Sequence, residues 1–94
     1  MELNGLEEDT ASRARKYIAA LTSALRKTRA RTEDTSVTAA NVRRVNDAIQ
    51  RYLLDAEHYL NERRPSTSLA SVAYAEGLLD ALLFLGLTTD EISE

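Results

Sequence analysis

The chain has 94 residues, of which 44% are hydrophobic and 29% charged, with a formal net charge of −3 and no cysteine. This composition excludes a disordered tail and a disulfide scaffold, and the length predicts a single domain over residues 1–94. An acidic N-terminus without a basic, apolar leader, together with the lack of cysteine, predicts a cytoplasmic protein.

The first two segments carry the apolar spacing of amphipathic helices. In the first, predicted as a helix over about residues 5–31, the stripe consists of Ala14, Tyr17, Leu21, Ala24 and Thr28. In the second, predicted over about residues 38–63, it consists of Val42, Val45, Ile49, Tyr52, Ala56 and Tyr59. Steps of three and four residues are the period of a helix with one face toward a core. Asn4 and Glu7 have the spacing of a capping box, Thr38 or Ser36 is the expected N-cap of the second helix, and Pro65 ends it.

The third segment, predicted as a helix over about residues 66–85, is apolar on nearly all sides. A helix that is hydrophobic on most faces must be buried on most faces, and two helices of the same chain would not cover it fully. Its longest strongly apolar stretch, Leu78–Leu87, contains Asp80 and is too short to span a bilayer, so we expect no membrane association. Three helices with short connections predict an all-α, antiparallel up-down-up three-helix bundle, followed by a polar tail over residues 88–94.

A pattern of small and polar positions, as well as apolar ones, runs through Arg51–Leu87. On the second helix it consists of Tyr52, Leu53, Asp55, Ala56, Tyr59 and Leu60. On the third it consists of Tyr74, Ala75, Gly77, Leu78, Leu79, Asp80 and Ala81, then Leu85 and Gly86. This pattern resembles the archaeal domain-of-unknown-function family 357. The resemblance implies a three-helix bundle, an archaeal origin and no known activity.

A line of small residues follows one side of the third helix. It consists of Ala70, Ala73, Gly77 and Ala81, with Tyr74 and Phe84 beside it. A glycine inside a helix costs about 1 kcal/mol relative to alanine, which implies a packing reason for Gly77. Either this line packs against another helix of the same chain, or it forms an interface with a second copy or a partner. The sequence leaves both interpretations open.

Four polar residues form a second candidate group. Asp55 and His58 share a face of the second helix, and Glu76 and Asp80 share a face of the third. Carboxylates and histidine on neighbouring helices suit a metal site in a bundle, but the chain has a single histidine. We favour a structural role, in which Glu76 and Asp80 pair with arginines of the first helix or with tyrosines of the second, and we expect no metal or cofactor. Arg51 and His58 also match the permissive Arg–His spacing of HEPN-type ribonucleases, which often arises by chance.

Charge is distributed unevenly along the chain. Residues 13–31 contain seven basic residues and no acid, whereas residues 66–94 contain five acids and no base. This asymmetry predicts that the first and last segments lie side by side. The alternative is a nucleic-acid-binding face formed by Arg15, Lys16, Arg26, Lys27 and Arg29. No aromatic residues interleave these bases for stacking, so nucleic-acid binding ranks second.

Catalytic motifs are missing: there is no glycine-rich phosphate loop and no Ser–His–Asp set, so we expect no enzymatic activity. The leading hypothesis is a non-enzymatic interaction or self-association module. We expect a homo-oligomer, with a dimer favoured, or a protein partner bound through the third helix.

Overall fold

The computed structural model describes residues 3–90, in which three helices pack against one another. The helices are α1 (Gly5–Arg26), α2 (Ala39–Asn61) and α3 (Pro65–Phe84), and two short strands are β1 (Thr28–Ala30) and β2 (Thr88–Asp90). The largest interface is between α2 and α3, the next is between α1 and α3, and α1 and α2 contact each other least. The predicted all-α class and the three helices are confirmed.

Side-chain caps set the starts of the first two helices. The Asn4 Oδ1 atom accepts a hydrogen bond from the Glu7 backbone N–H at 2.8 Å, and Glu7 Oε1 accepts one from the Asn4 N–H at 3.1 Å. The predicted capping box is therefore present, and it satisfies two backbone donors that the helix leaves free. Thr38 caps α2 by accepting from the Asn41 N–H at 3.1 Å. Pro65 is the first residue of α3, where its missing N–H costs nothing.

A small antiparallel ladder replaces the predicted end of the first helix. The helix ends at Arg26 instead of Arg31, because the backbone of β1 pairs with β2 in the register Arg29↔Thr89. The Thr88 hydroxyl donates to the Arg29 carbonyl at 2.8 Å. Part of the predicted polar tail is thus a strand, and residues 91–94 lie outside the described residues. The other helix ends differ from the prediction by one or two residues.

The core lies between the three helices and is rich in small side chains. Ile49 is its largest fully buried residue, and four alanines, Ala11, Ala14, Ala56 and Ala75, are also fully buried. Small side chains allow helix axes to approach closely. At one such approach the buried Ser68 hydroxyl donates to the Ala56 carbonyl at 2.6 Å, which joins α3 directly to α2.

Candidate interaction face on the third helix

One side of α3 packs into the core, and the opposite side is open. The buried side consists of Ser68, Val72, Ala75, Leu79 and Leu82. The open side, which we call the α3 outer face, consists of Ala70, Ala73, Tyr74, Gly77, Ala81 and Phe84, and all six are exposed. Phe84 is 87% exposed and Tyr74 59%. As expected from its composition, the other helices of the chain leave part of α3 uncovered.

Gly77 has no packing partner within the described chain. A Cβ atom built at this position would meet no atom within 4 Å beyond its immediate helical surroundings. The first of the two interpretations of the small-residue line, packing against another helix of the same chain, therefore does not hold at Gly77. The helix carries the cost of a glycine with no compensating contact inside the described residues.

Tyr74 is held in place at the edge of the α3 outer face. Its ring stacks on the ring of Tyr52 from α2, with centroids 4.5 Å apart and planes at 28°. Aromatic pairs in such an arrangement contribute about 0.5–1.5 kcal/mol beyond the area that they bury. The stack therefore favours this orientation of the Tyr74 ring.

Sequence reasoning missed one extension of this face. Leu85 directly follows α3 and is 71% exposed, next to Phe84. Its position four residues after Ala81 was the signal that could have placed it beside the small-residue line, because residues four apart share a helix face. Leu54 on α2, 64% exposed, is a separate apolar residue.

The four polar candidates do not form a metal site. Asp55, His58, Glu76 and Asp80 are all exposed. Within residues 3–90, no group of three or more His, Cys, Asp or Glu side chains is arranged to hold a metal ion. His58 instead contacts the neighbouring Tyr59 ring edge-on, with centroids 5.4 Å apart.

The expected pairing of the α3 acids is also wrong. Among residues 3–90, Glu76 and Asp80 make no ion pair and no side-chain hydrogen bond, either with arginines of α1 or with the tyrosines of α2. Both carboxylates point into solvent beside the α3 outer face. The segments of opposite charge do lie together, since α1 packs on α3 and β1 pairs with β2. Packing of α1 on α3 and the backbone pairing of β1 with β2 join the two segments.

The five bases of the nucleic-acid alternative are exposed but do not form one helical stripe. Arg29 lies in β1 and Lys27 is the C-cap of α1. Arg15 lies 3.5 Å from Glu8, in an ion pair exposed enough to be strongly screened by water. Arg15 and Arg26 line a cleft of about 550 Å³ between α1 and α2, together with the apolar side chains of Ile18 and Leu60.

A second cleft, of about 590 Å³, lies along α2 beside Leu78 of α3. Arg44 and Arg51 border it, together with Leu78 from the side of α3. His58 does not line this cleft, so the Arg51–His58 pair of the ribonuclease interpretation shares no pocket there.

The composition of α3 also meets a criterion for crossing membranes. The helix Pro65–Phe84 has 20 residues and, by length and composition only, is apolar enough to cross a membrane. The expectation of no membrane association was based on the stretch Leu78–Leu87, which includes only part of this helix. Core helices of soluble proteins also meet this criterion.

These features define a small protein of three packed helices and a short β ladder, with an exposed apolar face on α3. The chain belongs to the DUF357 family: the family model, described as a protein of unknown function, matches residues 16–88. The match begins within α1, includes both other helices and ends in β2, so it is wider than the stretch Arg51–Leu87 that carried the resemblance. No curated protein and no solved structure matches the chain.

Proposed function

We propose that this protein is a non-enzymatic interaction module whose α3 outer face binds a helix of another protein chain. The observation that carries the proposal is the combination of two large exposed apolar residues, Phe84 and Leu85, with an open surface above Gly77. Exposed apolar patches on small soluble domains mark sites of interaction.

The spacing of the face favours a helix as the bound element. Ala70, Ala73, Gly77 and Ala81 are separated by three, four and four residues, so they line one side of α3 over three turns. Small side chains in such a line allow a second helix backbone to approach closely, while Phe84 closes one end of the line. A line of small residues over three turns fits an elongated helix better than a compact small molecule.

The acids beside the face favour a protein over a lipid environment. Asp80 lies within the most apolar part of α3, and an ionised carboxylate is costly to bury among lipid tails. A protein partner can supply a donor or a base to this carboxylate, whereas lipid tails cannot.

The strength of binding follows from the large side chains. Burying Tyr74, Phe84 and Leu85 contributes about 1.5–3 kcal/mol each at full burial, and all three are partly covered already. Association entropy opposes this gain by several kcal/mol. We therefore expect micromolar or weaker affinity, which suits a regulated or concentration-dependent contact.

Site-directed photo-cross-linking in cells of the organism that encodes the protein tests the proposal. A photoreactive side chain at Ala81 on the α3 outer face should form adducts with another protein chain. The matched control is Ala20, an exposed alanine of α1. Adding Phe84→Asp to the Ala81 probe should remove the adducts, whereas Leu54→Asp should not. Equal adduct yields from Ala81 and Ala20 would contradict the proposal.

A further inference from the structure

We infer that the groove between α1 and α2 binds an acidic, amphipathic helix of a different protein. This α1–α2 groove runs from Arg15 and Asn61 at one end to Leu25 and Gln50 at the other. Among residues 3–90, none from α3 lines it, so the groove is separate from the α3 outer face. The inference therefore concerns a second binding site and does not rest on the proposed function.

The groove exists because α1 and α2 each pack mainly on α3 and contact each other least. It consists of the cleft of about 550 Å³ described above and an adjoining cleft of about 380 Å³. Thr22 and Arg26 line both clefts, which makes them one elongated depression. From Arg15 to Arg26 the α1 wall extends over eleven residues, or about 16 Å and three helical turns.

The bottom of the groove is apolar. Ile18 and Leu53 lie deepest, at 8% and 7% exposure, and Leu25 and Leu60 are half-buried beside them. All four side chains belong to the hydrophobic core or pack against it, so the apolar surface of the groove is continuous with the core. A helix that laid an apolar side on these residues would extend the core by a fourth helix.

The α1 wall of the groove is basic. Arg15 and Arg26 line it, and residues 13–31 contain no acid. Arg26 makes no ion pair within residues 3–90, and the pair of Arg15 with Glu8 is exposed and screened by water. The charged residue on the α2 wall is Glu57. An occupant with acids along its α1-facing edge complements this wall, whereas bases there would be repelled by both arginines.

The shape of the groove favours a helix over a small ligand. Sites for small molecules bury most of the ligand surface, whereas this groove is open to solvent over three turns. A helix about 10 Å wide that lies along the groove contacts both walls and the bottom at once. Nucleic acid is a poorer match, because its phosphates would face Glu57 and an apolar bottom.

Titration of the isotope-labelled full chain with two synthetic helical peptides, followed by nuclear magnetic resonance, tests the inference. Both peptides carry leucines at helical spacing, and one edge is glutamate in the first peptide and lysine in the second. The glutamate peptide should shift the backbone signals of Ala19, Thr22 and Ser23, which line the groove. We expect a dissociation constant of about 100 μM, and binding of the lysine peptide about tenfold weaker.

Two pairs of charge substitutions separate the groove from the general charge of the protein. Arg15→Gln combined with Arg26→Gln should weaken binding of the glutamate peptide about fivefold, because each exposed ion pair contributes about 0.5 kcal/mol. The matched control combines Arg13→Gln with Lys16→Gln, which changes the net charge equally outside the groove. This control should weaken binding less than about twofold.

A steric block tests the apolar part of the groove. Ala19→Trp should fill the groove and weaken binding by about tenfold, whereas Ala20→Trp should leave it unchanged, because Ala19 lines the groove and Ala20 does not. Both alanines are exposed, so circular dichroism should show the same helical content in the two variants.

Each contrary outcome has a distinct meaning. Equal affinity for the two peptides, or equal losses from the two charge pairs, would overturn the choice of an acidic partner. Shifts confined to the α3 outer face would overturn the assignment to the groove, yet they would support the proposed function. Groove signals that move when the protein alone is diluted would assign the groove to a second copy and overturn the inference. An absence of binding at millimolar peptide would overturn it as well.

Discussion

Ser68→Ala tests the direct hydrogen bond between α3 and α2. The Ser68 side chain is fully buried, and its hydroxyl donates to the Ala56 carbonyl at 2.6 Å. The carbonyl of Ala56 lies within α2, so it keeps the N–H partner that the helix itself provides. The substitution therefore removes one hydrogen bond without leaving a buried group unpaired.

The expected loss follows from two opposing terms. A buried hydrogen bond contributes about 0.5–1.5 kcal/mol net. Alanine is a better helix former than serine by up to about 0.7 kcal/mol, which offsets part of that loss. Ser66→Ala is the matched control, because Ser66 is an exposed serine in the first turn of the same helix. The difference in unfolding free energy between the two variants should be about 1 kcal/mol, with Ser68→Ala the less stable.

Urea unfolding followed by circular dichroism measures this difference. With a slope of about 1 kcal/mol/M for a domain of this size, the two midpoints should differ by about 1 M. All samples need the same low protein concentration, because self-association would raise the apparent stability. Midpoints that coincide for Ser68→Ala and Ser66→Ala would refute the claim that this hydrogen bond stabilises the contact between α2 and α3.

Three further predictions use the same preparations. Gly86→Ala should lower the unfolding free energy by about 1 kcal/mol, because Gly86 has φ of +72°. Gly77→Ala should raise the unfolding free energy of the isolated chain by up to about 1 kcal/mol, because alanine is the better helix former and a Cβ atom meets open space there. Changes of the same sign in urea unfolding would contradict these two expectations. Thr88→Val removes the hydrogen bond from the Thr88 hydroxyl to the Arg29 carbonyl of β1 and should lower the unfolding free energy by about 1 kcal/mol in the same assay. An unchanged urea midpoint would exclude a stabilising role for that bond. In a gel-shift assay, the protein should bind RNA or DNA only at low salt, since its basic side chains do not form one stripe. Binding that persists at about 150 mM salt and disappears when Arg26 and Lys27 are changed to glutamine would favour the nucleic-acid alternative.

Local patterns in the sequence were sufficient to place the three helices, apart from the end of α1. The apolar spacing placed Leu21 and Ile49 in the core, where both are buried. The capping box at Asn4 depends on residues three positions apart and was equally predictable. The apolar composition of α3 also indicated that the rest of the chain would leave part of this helix uncovered. In each case the information lies within a few residues of the feature that it determines.

Features that depend on distant residues were not predictable in this way. Thr28 fits the helical spacing of α1 but belongs to β1, because its strand partner lies at the far end of the sequence. The charges of Glu76 and Asp80 suggested ion pairs with α1, yet a count of charges does not give the direction of a side chain. The interpretation of Gly77 likewise depends on which side of α3 packs inward, and the nearly uniform apolar composition of this helix does not distinguish its sides.

The β1–β2 ladder has a consequence for how the domain opens. By joining Thr28–Ala30 to Thr88–Asp90, it closes a loop of chain that contains all of α2 and α3. While the ladder is intact, it limits how far α2 and α3 can separate, whereas the first turns of α1 lie outside the loop and can fray separately. Phe84 and Leu85 sit just before the point of closure. One end of the α3 outer face therefore lies beside the ladder, and we expect it to stay intact while the first turns of α1 fray.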